Sequence, residues 1–348
     1  MCYKTCSEGW IKEKITAMNH LGNNVQEIEN VNVINVLFQL IQGCSVREDA
    51  LASRQIYTLV KLFGLDSDEF LSNHLIHMFA VCGSLKQAYN VFNNILSPGL
   101  PTWNAIISAN LYLKNNENVI EHYHQMKSLG IKFDGPMFVV VIRACTSILA
   151  LPEGKEVHNH VHESGLESDK FVGTALIRMY AKCGSLEDAH NMFERLIQRD
   201  VATWNAMIGV FSQDMFVERF LQSFEQILQE GLLPDRITFI SIISGCAEKV
   251  LLSAGKTMHA RIAHNGIEMD VKVASALINM YGKCGEIKDG KYIFDLFPNR
   301  NVFCWNTMIG AYVQHGFIKE ALELLYSMKQ KGITPDKVTL VSILSIYA

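Results

Sequence analysis

Apolar residues recur along this chain at i, i+3, i+4 and i+7 in segments of about a dozen residues, the spacing of one face of an amphipathic helix. The segments come in pairs. "CWNTMIGAYVQ" (304–314) is stopped by Gly316, and "IKEALELLYSMKQK" (318–331) by Gly332 with Pro335 soon after. The pattern predicts an all-α chain of helix-turn-helix units.

The pairs themselves repeat. "MFAVCGSLKQA" from Met78, "MYAKCGSLEDA" from Met179 and "MYGKCGEIKDG" from Met280 lie 101 residues apart, as do Trp103-Asn104, Trp204-Asn205 and Trp305-Asn306. The same offset links Gly154-Lys155 to Gly255-Lys256 and Pro234-Asp235 to Pro335-Asp336. Each copy divides into parts of 35, 31 and 35 residues, and each part holds two helical segments. A two-helix unit of that size cannot bury its apolar face alone, and stacking against neighbours completes the core. The chain should therefore be an α-solenoid of about nine hairpins with a concave surface lined by the first helix of each unit. The units are expected at 34–68, 69–99 and 100–134, then 135–169, 170–200 and 201–235, then 236–270, 271–301 and 302–336. A partial unit follows at 337–348, and residues 1–33 are expected to be a helical cap or a decayed repeat.

Hydrophobic residues are 49% of the 348, enough for an extensive core. With 31 Lys and Arg against 35 Asp and Glu, the net charge of −4 gives no broad pull toward nucleic acid or anionic membrane, so such binding must come from local placement. The longest apolar run is about "MFVVVI" (137–142), far short of the ~18–20 residues that span a bilayer. No membrane partner is expected. Residues 1–33 have no apolar h-region and carry Glu8, Glu13, Glu27 and Glu29, so they give no targeting signature. Nine scattered cysteines without a CxxC read as buried thiols in a reducing compartment.

The units resemble those of pentatricopeptide repeat proteins, specifically the plant PLS subclass. "TFISIISGCAEKVLLSAGKTMHARIAHNGIE" is similar to the L type, "FVGTALIRMYAKCGSLEDAHNMFERL" to the S type and "VFCWNTMIGAYVQHGFIKEALELLYSMKQKGITPD" to the P type. The order L, S, P recurs three times over about 34–348. A tetratricopeptide pattern fits worse, because its Trp-Leu-Gly and Tyr landmarks are missing. The resemblance implies a right-handed α-solenoid that binds single-stranded RNA in a plant mitochondrion or chloroplast, one base per repeat. It also implies that the fifth residue of the first helix and the last residue of the repeat do the reading.

Carried over, Asn104 with Asp134, Asn205 with Asp235 and Asn306 with Asp336 are expected to read uracil. Thr174 with Asp200 is expected to read guanine, and Ser275 with Asn301 adenine. Amide and hydroxyl groups can serve a base's Watson–Crick edge while a paired carboxylate orients them. The first S unit departs from this: Asn73 is followed by Gly99, leaving at most a loose pyrimidine preference. The L units offer Phe38, Val139 and Ile240, which make no polar base contact. Second positions, which wedge between bases in the family, are Phe70, Pro101, Phe171, Ala202, Lys272 and Phe303, of which Phe70, Phe171 and Phe303 suit stacking. The expected site is x-Y-U-x-G-U-x-A-U.

Plainer readings compete. The recurring Asn and Asp could serve only as helix caps. The Trp residues fit packing between repeats better than base stacking. His158 and His162 share a helical face, but "MHARIAH" keeps only His259 of the pattern and no third ligand is placed, so no metal or other cofactor is expected. Relatives in the subclass often carry a zinc deaminase, whose H-x-E and P-C-x-x-C elements are both missing here, so no catalysis is expected of this chain. Because it stops inside a fourth L unit, the chain is expected to be part of a longer product. An editing-factor or deaminase partner would then act on the bound transcript, in organellar RNA processing or C-to-U editing. The competing class is a tetratricopeptide-like scaffold whose groove binds protein.

Overall fold

The structure is a computed structural model that describes residues 30–213, 217–267, 269–297 and 300–347. The role expected of residues 1–33 falls almost wholly outside them. Among the described residues all regular structure is helical, and the chain divides into two compact units between Glu167 and Ser168.

The first unit carries four helix pairs: α1 (Asn30–Arg47) with α2 (Ala50–Leu62), α3 (Glu69–Val81) with α4 (Leu85–Asn93), α5 (Leu100–Tyr112) with α6 (Asn116–Ser128), and α7 (Gly135–Ile148) with α8 (Leu151–Glu163). First helices pack side by side in the order α1, α3, α5, α7, and α4 and α6 each fill the notch between their own first helix and the next. The second unit repeats this with α9 (Lys170–Lys182) and α10 (Leu186–Arg195), α11 (Val201–Gln213) and α12 (Val217–Gln229), α13 (Arg236–Glu248) and α14 (Leu252–His264), α15 (Val271–Lys283) and α16 (Ile287–Leu296), and α17 (Val302–Gln314) and α18 (Ile318–Gln330). It ends with α19 (Lys337–Leu344) and a 3₁₀ turn, Ser345–Tyr347.

Local chemistry sets each hairpin. The α9 helix starts at Asp169, whose carboxylate accepts the Phe171 and Val172 N–H groups at 3.0 and 2.9 Å. It stops where Gly184 turns left-handed (φ 79°) and the Ser185 N–H returns to the Tyr180 carbonyl at 2.9 Å. Cys82, Cys183 and Cys284 are the C-caps of α3, α9 and α15, half-buried free thiols beside Gly83, Gly184 and Gly285.

The tryptophans hold one hairpin to the next. Trp103 meets Phe92 edge-on at a centroid distance of 4.9 Å, Trp204 meets Phe193 at 4.8 Å and Trp305 meets Phe294 at 5.0 Å. The three indoles are at most 5% exposed, so packing is their role and base stacking is closed to them. Side chains also press against glycine backbone: a Cβ on Gly173 would lie 2.6 Å from Leu196 Cδ2, and one on Gly245 would lie 2.4 Å from Phe220 Cζ.

Candidate nucleic-acid interface

The residues that end the repeats are N-caps of the helices that follow. Asp235 caps α13 by accepting the Thr238 N–H at 2.8 Å and the Thr238 hydroxyl at 3.0 Å, while its own N–H donates to that hydroxyl oxygen at 3.1 Å. Asp336 caps α19 through Thr339 in the same way, at 3.0, 3.0 and 3.1 Å. From this anchored position each carboxylate accepts the amide of the fifth residue in the preceding first helix. Asn205 Nδ2 donates to Asp235 Oδ1 at 3.1 Å, and Asn306 Nδ2 donates to Asp336 Oδ1 at 2.9 Å. Capping and pairing are done by one oxygen, so the two roles coexist.

The bonds fix which way each amide faces. Because a carboxylate only accepts, it takes Nδ2 and leaves Oδ1 on the other side. The Oδ1 of Asn205 is buried without a hydrogen-bond partner, and that of Asn306 shares the single Thr339 hydroxyl hydrogen with Asp336. Burial pushes the Asp235 carboxyl up, but the Thr238 N–H, the Asn205 amide and the Thr238 hydroxyl outweigh it and hold the group below the usual aspartate value. Asp336 is also held low, first by the Thr339 N–H and then by the Asn306 amide and Thr339 hydroxyl.

The two S-type sites of the second unit insert one more group. Thr174 and Thr203 share a hydroxyl hydrogen bond of 2.8 Å, and Thr203 donates to Asp200 Oδ1 at 2.9 Å with both its hydroxyl and its N–H. Thr203 has one hydroxyl hydrogen, which goes to Asp200, so Thr174 is the donor in the other bond. Its remaining lone pairs can only accept. Burial pushes the Asp200 carboxyl up, and the Thr203 N–H and hydroxyl bring it below its ordinary value.

In the next triplet Cys304 replaces Thr203. Ser275 donates to the Val271 carbonyl at 2.6 Å, its Oγ lies 3.0 Å from Cys304 Sγ, and the Cys304 N–H donates to Asn301 Oδ1 at 3.0 Å. Asn301 therefore keeps its Nδ2 hydrogens as donors beside an acceptor hydroxyl.

In the first unit, Asp134 caps α7 through the Met137 N–H at 2.9 Å, but among the described residues no hydrogen bond joins it to Asn104. Met137 holds the place of Thr238 and Thr339 and has no hydroxyl to share. Asn73 Oδ1 is buried without a partner, and Gly99, the N-cap of α5, has no side chain to offer it.

Each unit has a cavity on its first helices. In the second unit one of about 400 Å³ is lined by Asn306, Asp336, Phe303 and Val338, with Asn279 and Lys283 of α15 beside them. Asn306 and its carboxylate thus sit between two apolar second-position side chains. In the first unit a cavity of about 760 Å³ is lined by Asn73, His74, His77, Pro101 and Asn104. Both volumes lie in the range of ligand sites. Phe70, Phe171 and Phe303 are 49, 65 and 57% exposed, but Phe70 is engaged with Phe38 (centroids 5.2 Å) and His74 (4.6 Å). Pro101, Ala202 and Lys272 are exposed, and Val139 and Ile240 are half-buried.

The histidines of "HNHVH" are engaged otherwise. His158 and His162 pair with Glu167 at 3.4 and 2.7 Å, and His160 meets the Tyr123 hydroxyl at 3.2 Å. Among the described residues, no three His, Cys, Asp or Glu side chains converge as a metal ion would need, and no helix is long and apolar enough to cross a membrane.

Sequence reading missed the third helical position. Thr203, Thr238 and Thr339 are fully buried and each bonds the cap, and Thr203 and Thr339 also touch the reader. The available signal was D-x-x-T, at Asp200-Thr203, Asp235-Thr238 and Asp336-Thr339, which is a capping box with its partners exchanged.

A family model for the PPR repeat matches residues 101–131, 174–201, 202–232 and 273–302, and one for the PPR repeat family matches 300–348. A chloroplastic pentatricopeptide repeat-containing protein of Arabidopsis thaliana is 32% identical over 88% of this chain and 50% of its own length. The chloroplastic protein CRR2 of the same plant is 30% identical over 97% of the chain and 51% of its own, and a mitochondrial one is 29% identical over 98% and 60%. The chain spans about half the length of these relatives. Among solved structures, the pentatricopeptide repeat protein PPR10 in complex with an 18-nt psaJ RNA element has the same fold, with a TM-score of 0.78 and 16% identity over 98% of this chain and 51% of that one.

Proposed function

Starting from the pentatricopeptide repeat family, to which this chain belongs, we propose that it binds single-stranded RNA sequence-selectively and reads one base per polar repeat. The observation that carries this reading is the recurrence of one arrangement: a polar fifth residue tied to the cap of the next helix, directly or through the third residue, at Thr174, Asn205, Ser275 and Asn306.

The hydrogen count at each site fits a different base. Thr174 and Asp200 present acceptors, which suit the N1–H and N2–H₂ donors of guanine. Ser275 and Asn301 present an acceptor and an amide donor, which suit the N6–H₂ and N1 of adenine. Asn205 keeps an unpartnered Oδ1, which suits the N3–H of uracil once a base displaces what covers it, and an Nδ2 hydrogen, which suits its carbonyl. Phe303 and Val338 flank the Asn306 site as a base would require for stacking. Lys283 at the cavity wall, with Lys182 at the equivalent place on α9, supplies charge for phosphates.

The 35, 31, 35 order of unit lengths supports the plant PLS subclass. The names of the matched relatives support a chloroplast or mitochondrion. The chain itself is not an enzyme in this reading: it holds a transcript for RNA processing or C-to-U editing carried out by a partner or by another domain.

Equilibrium binding to a 9-mer x-Y-U-x-G-U-x-A-U is compared with the same 9-mer carrying G and A exchanged. We expect roughly tenfold weaker binding to the exchanged RNA, in line with the cost of mismatched base-edge hydrogen bonds. Equal affinity for the two would overturn base-by-base reading, and failure to bind either, with capture of a peptide instead, would favour a protein scaffold.

A further inference from the structure

Gly99 breaks the pattern of repeat-ending caps, since its counterparts one and two periods later are Asp200 and Asn301. Glycine is not required there by the backbone. Its φ of −76° and ψ of 174° match the extended cap conformation of Asn301 (−80°, 168°) and Asp235 (−96°, 177°), which any residue adopts. The space is what differs. A Cβ on Gly99 would lie 2.6 Å from Glu69 Oε1, so the carboxylate of Glu69 already occupies the place where a side chain at 99 would begin.

The link between the third residue and a carboxylate is kept, although Asn73 Oδ1 is not tied to it as Thr174 is to Thr203. Thr102, fully buried and equivalent to Thr203, donates its hydroxyl to Glu69 Oε1 at 2.9 Å, the distance at which Thr203 donates to Asp200. Glu69 is the first residue of α3, one turn before Asn73 on the same helical face. The first residues of the other S units are Lys170 and Val271, and both of those units end in a polar cap. The single S unit that lacks a side chain at its end is thus the single one that starts with a carboxylate.

We propose that Glu69 is a specificity-determining residue of the first S unit, supplying from the front of the repeat the carboxylate that Gly99 does not supply from its end. The inference rests on the RNA reading above. It changes the expected preference at that unit from any pyrimidine to uracil. An acceptor-only carboxylate favours uracil, whose N3 carries a hydrogen, over cytosine, whose N3 presents a lone pair. Asn73 Oδ1 is buried and has no hydrogen-bond partner in the free protein, so no internal bond competes with a base for that oxygen.

The test measures binding to 9-mers with U or C at the second position, and in parallel U or C opposite Asn306, for four proteins. Wild type should prefer U at the second position by roughly tenfold. Glu69→Gln keeps an oxygen for the Thr102 hydroxyl but brings an N–H donor, and should move that preference to C without altering the preference opposite Asn306. Gly99→Asp alone sets a second carboxylate against Glu69 and should lower the melting temperature. The pair Glu69→Lys with Gly99→Asp, which copies the Lys170 and Asp200 arrangement, should restore both stability and the preference for U. An unchanged preference in Glu69→Gln would overturn the assignment, as would an equal loss at both RNA positions, the mark of a purely structural role. If wild type discriminates at neither position, the RNA reading itself has failed, and this assignment fails with it.

Discussion

The Thr203 hydroxyl has two neighbours, and its single hydrogen decides what Thr174 can offer. Replacing it with the isosteric Thr203→Val removes one acceptor for Thr174 and one donor for Asp200, at a cost of about 1 kcal/mol of stability. Thr174 then regains a free O–H, so discrimination for G over A at the fifth RNA position should fall by a measurable factor in competition binding. Unchanged discrimination would show that the relay does not set the donor pattern. In the companion swap, Thr174→Ser with Asp200→Asn should move the preference from G toward A, because the new amide brings donors like those of Asn301. Of these residues, Thr174 and Asp200 were named through the family resemblance, and the polar fifth position persists in all three S units. Thr203 was not: a buried threonine in a helix looks like ordinary core, and its replacement by Cys304 in the next triplet hides the pattern. Glu69 was less legible still, because it acts through space vacated 30 residues away at Gly99.

At the scale of elements far more is legible, because helix periodicity and glycine stops are written locally. The helical hairpins follow from the apolar spacing, and the left-handed glycines Gly83, Gly184 and Gly285 stand where the chain must turn. Gly184→Ala puts a Cβ on a left-handed residue in open space, so it should cost about 1 kcal/mol and lower the melting temperature by a few degrees without touching the groove. Trp204→Ala removes the indole that Phe193 meets edge-on, and a loss of ~3–5 kcal/mol should be visible in chemical denaturation. Two element-level features escaped the reading. The α1 helix already includes Asn30, ahead of the unit start drawn at 34, because nothing like Gly or Pro interrupts "NVNVI". The shorter S units save their residues in the second helix: α4, α10 and α16 have 9, 10 and 10 residues, against 13 in α2, α6 and α18.

For the whole molecule, burial of imidazoles makes stability depend on pH. Burial lowers the pKa of His122, His160 and His259 below the ordinary value. The unfolded chain therefore takes up protons first as pH falls, so their contribution is complete above about 6.5 and is lost on descending toward the folded values. Thermal melts at pH 7.5 and 5.5 should show a lower midpoint in acid, with a smaller difference in His122→Gln. The net charge of −4 should likewise keep the salt dependence of RNA affinity shallow, since few cations such as Lys283 stand at the groove. The double duty of the repeat-ending side chain has a further consequence. Asp134, Asp200, Asp235, Asn301, Asp336 and Gly99 all belong to the small group of residues that start helices well. An array of this kind can drift or be redesigned toward a new transcript only through letters the helix start tolerates. Its recognition alphabet is limited by folding before any nucleotide arrives.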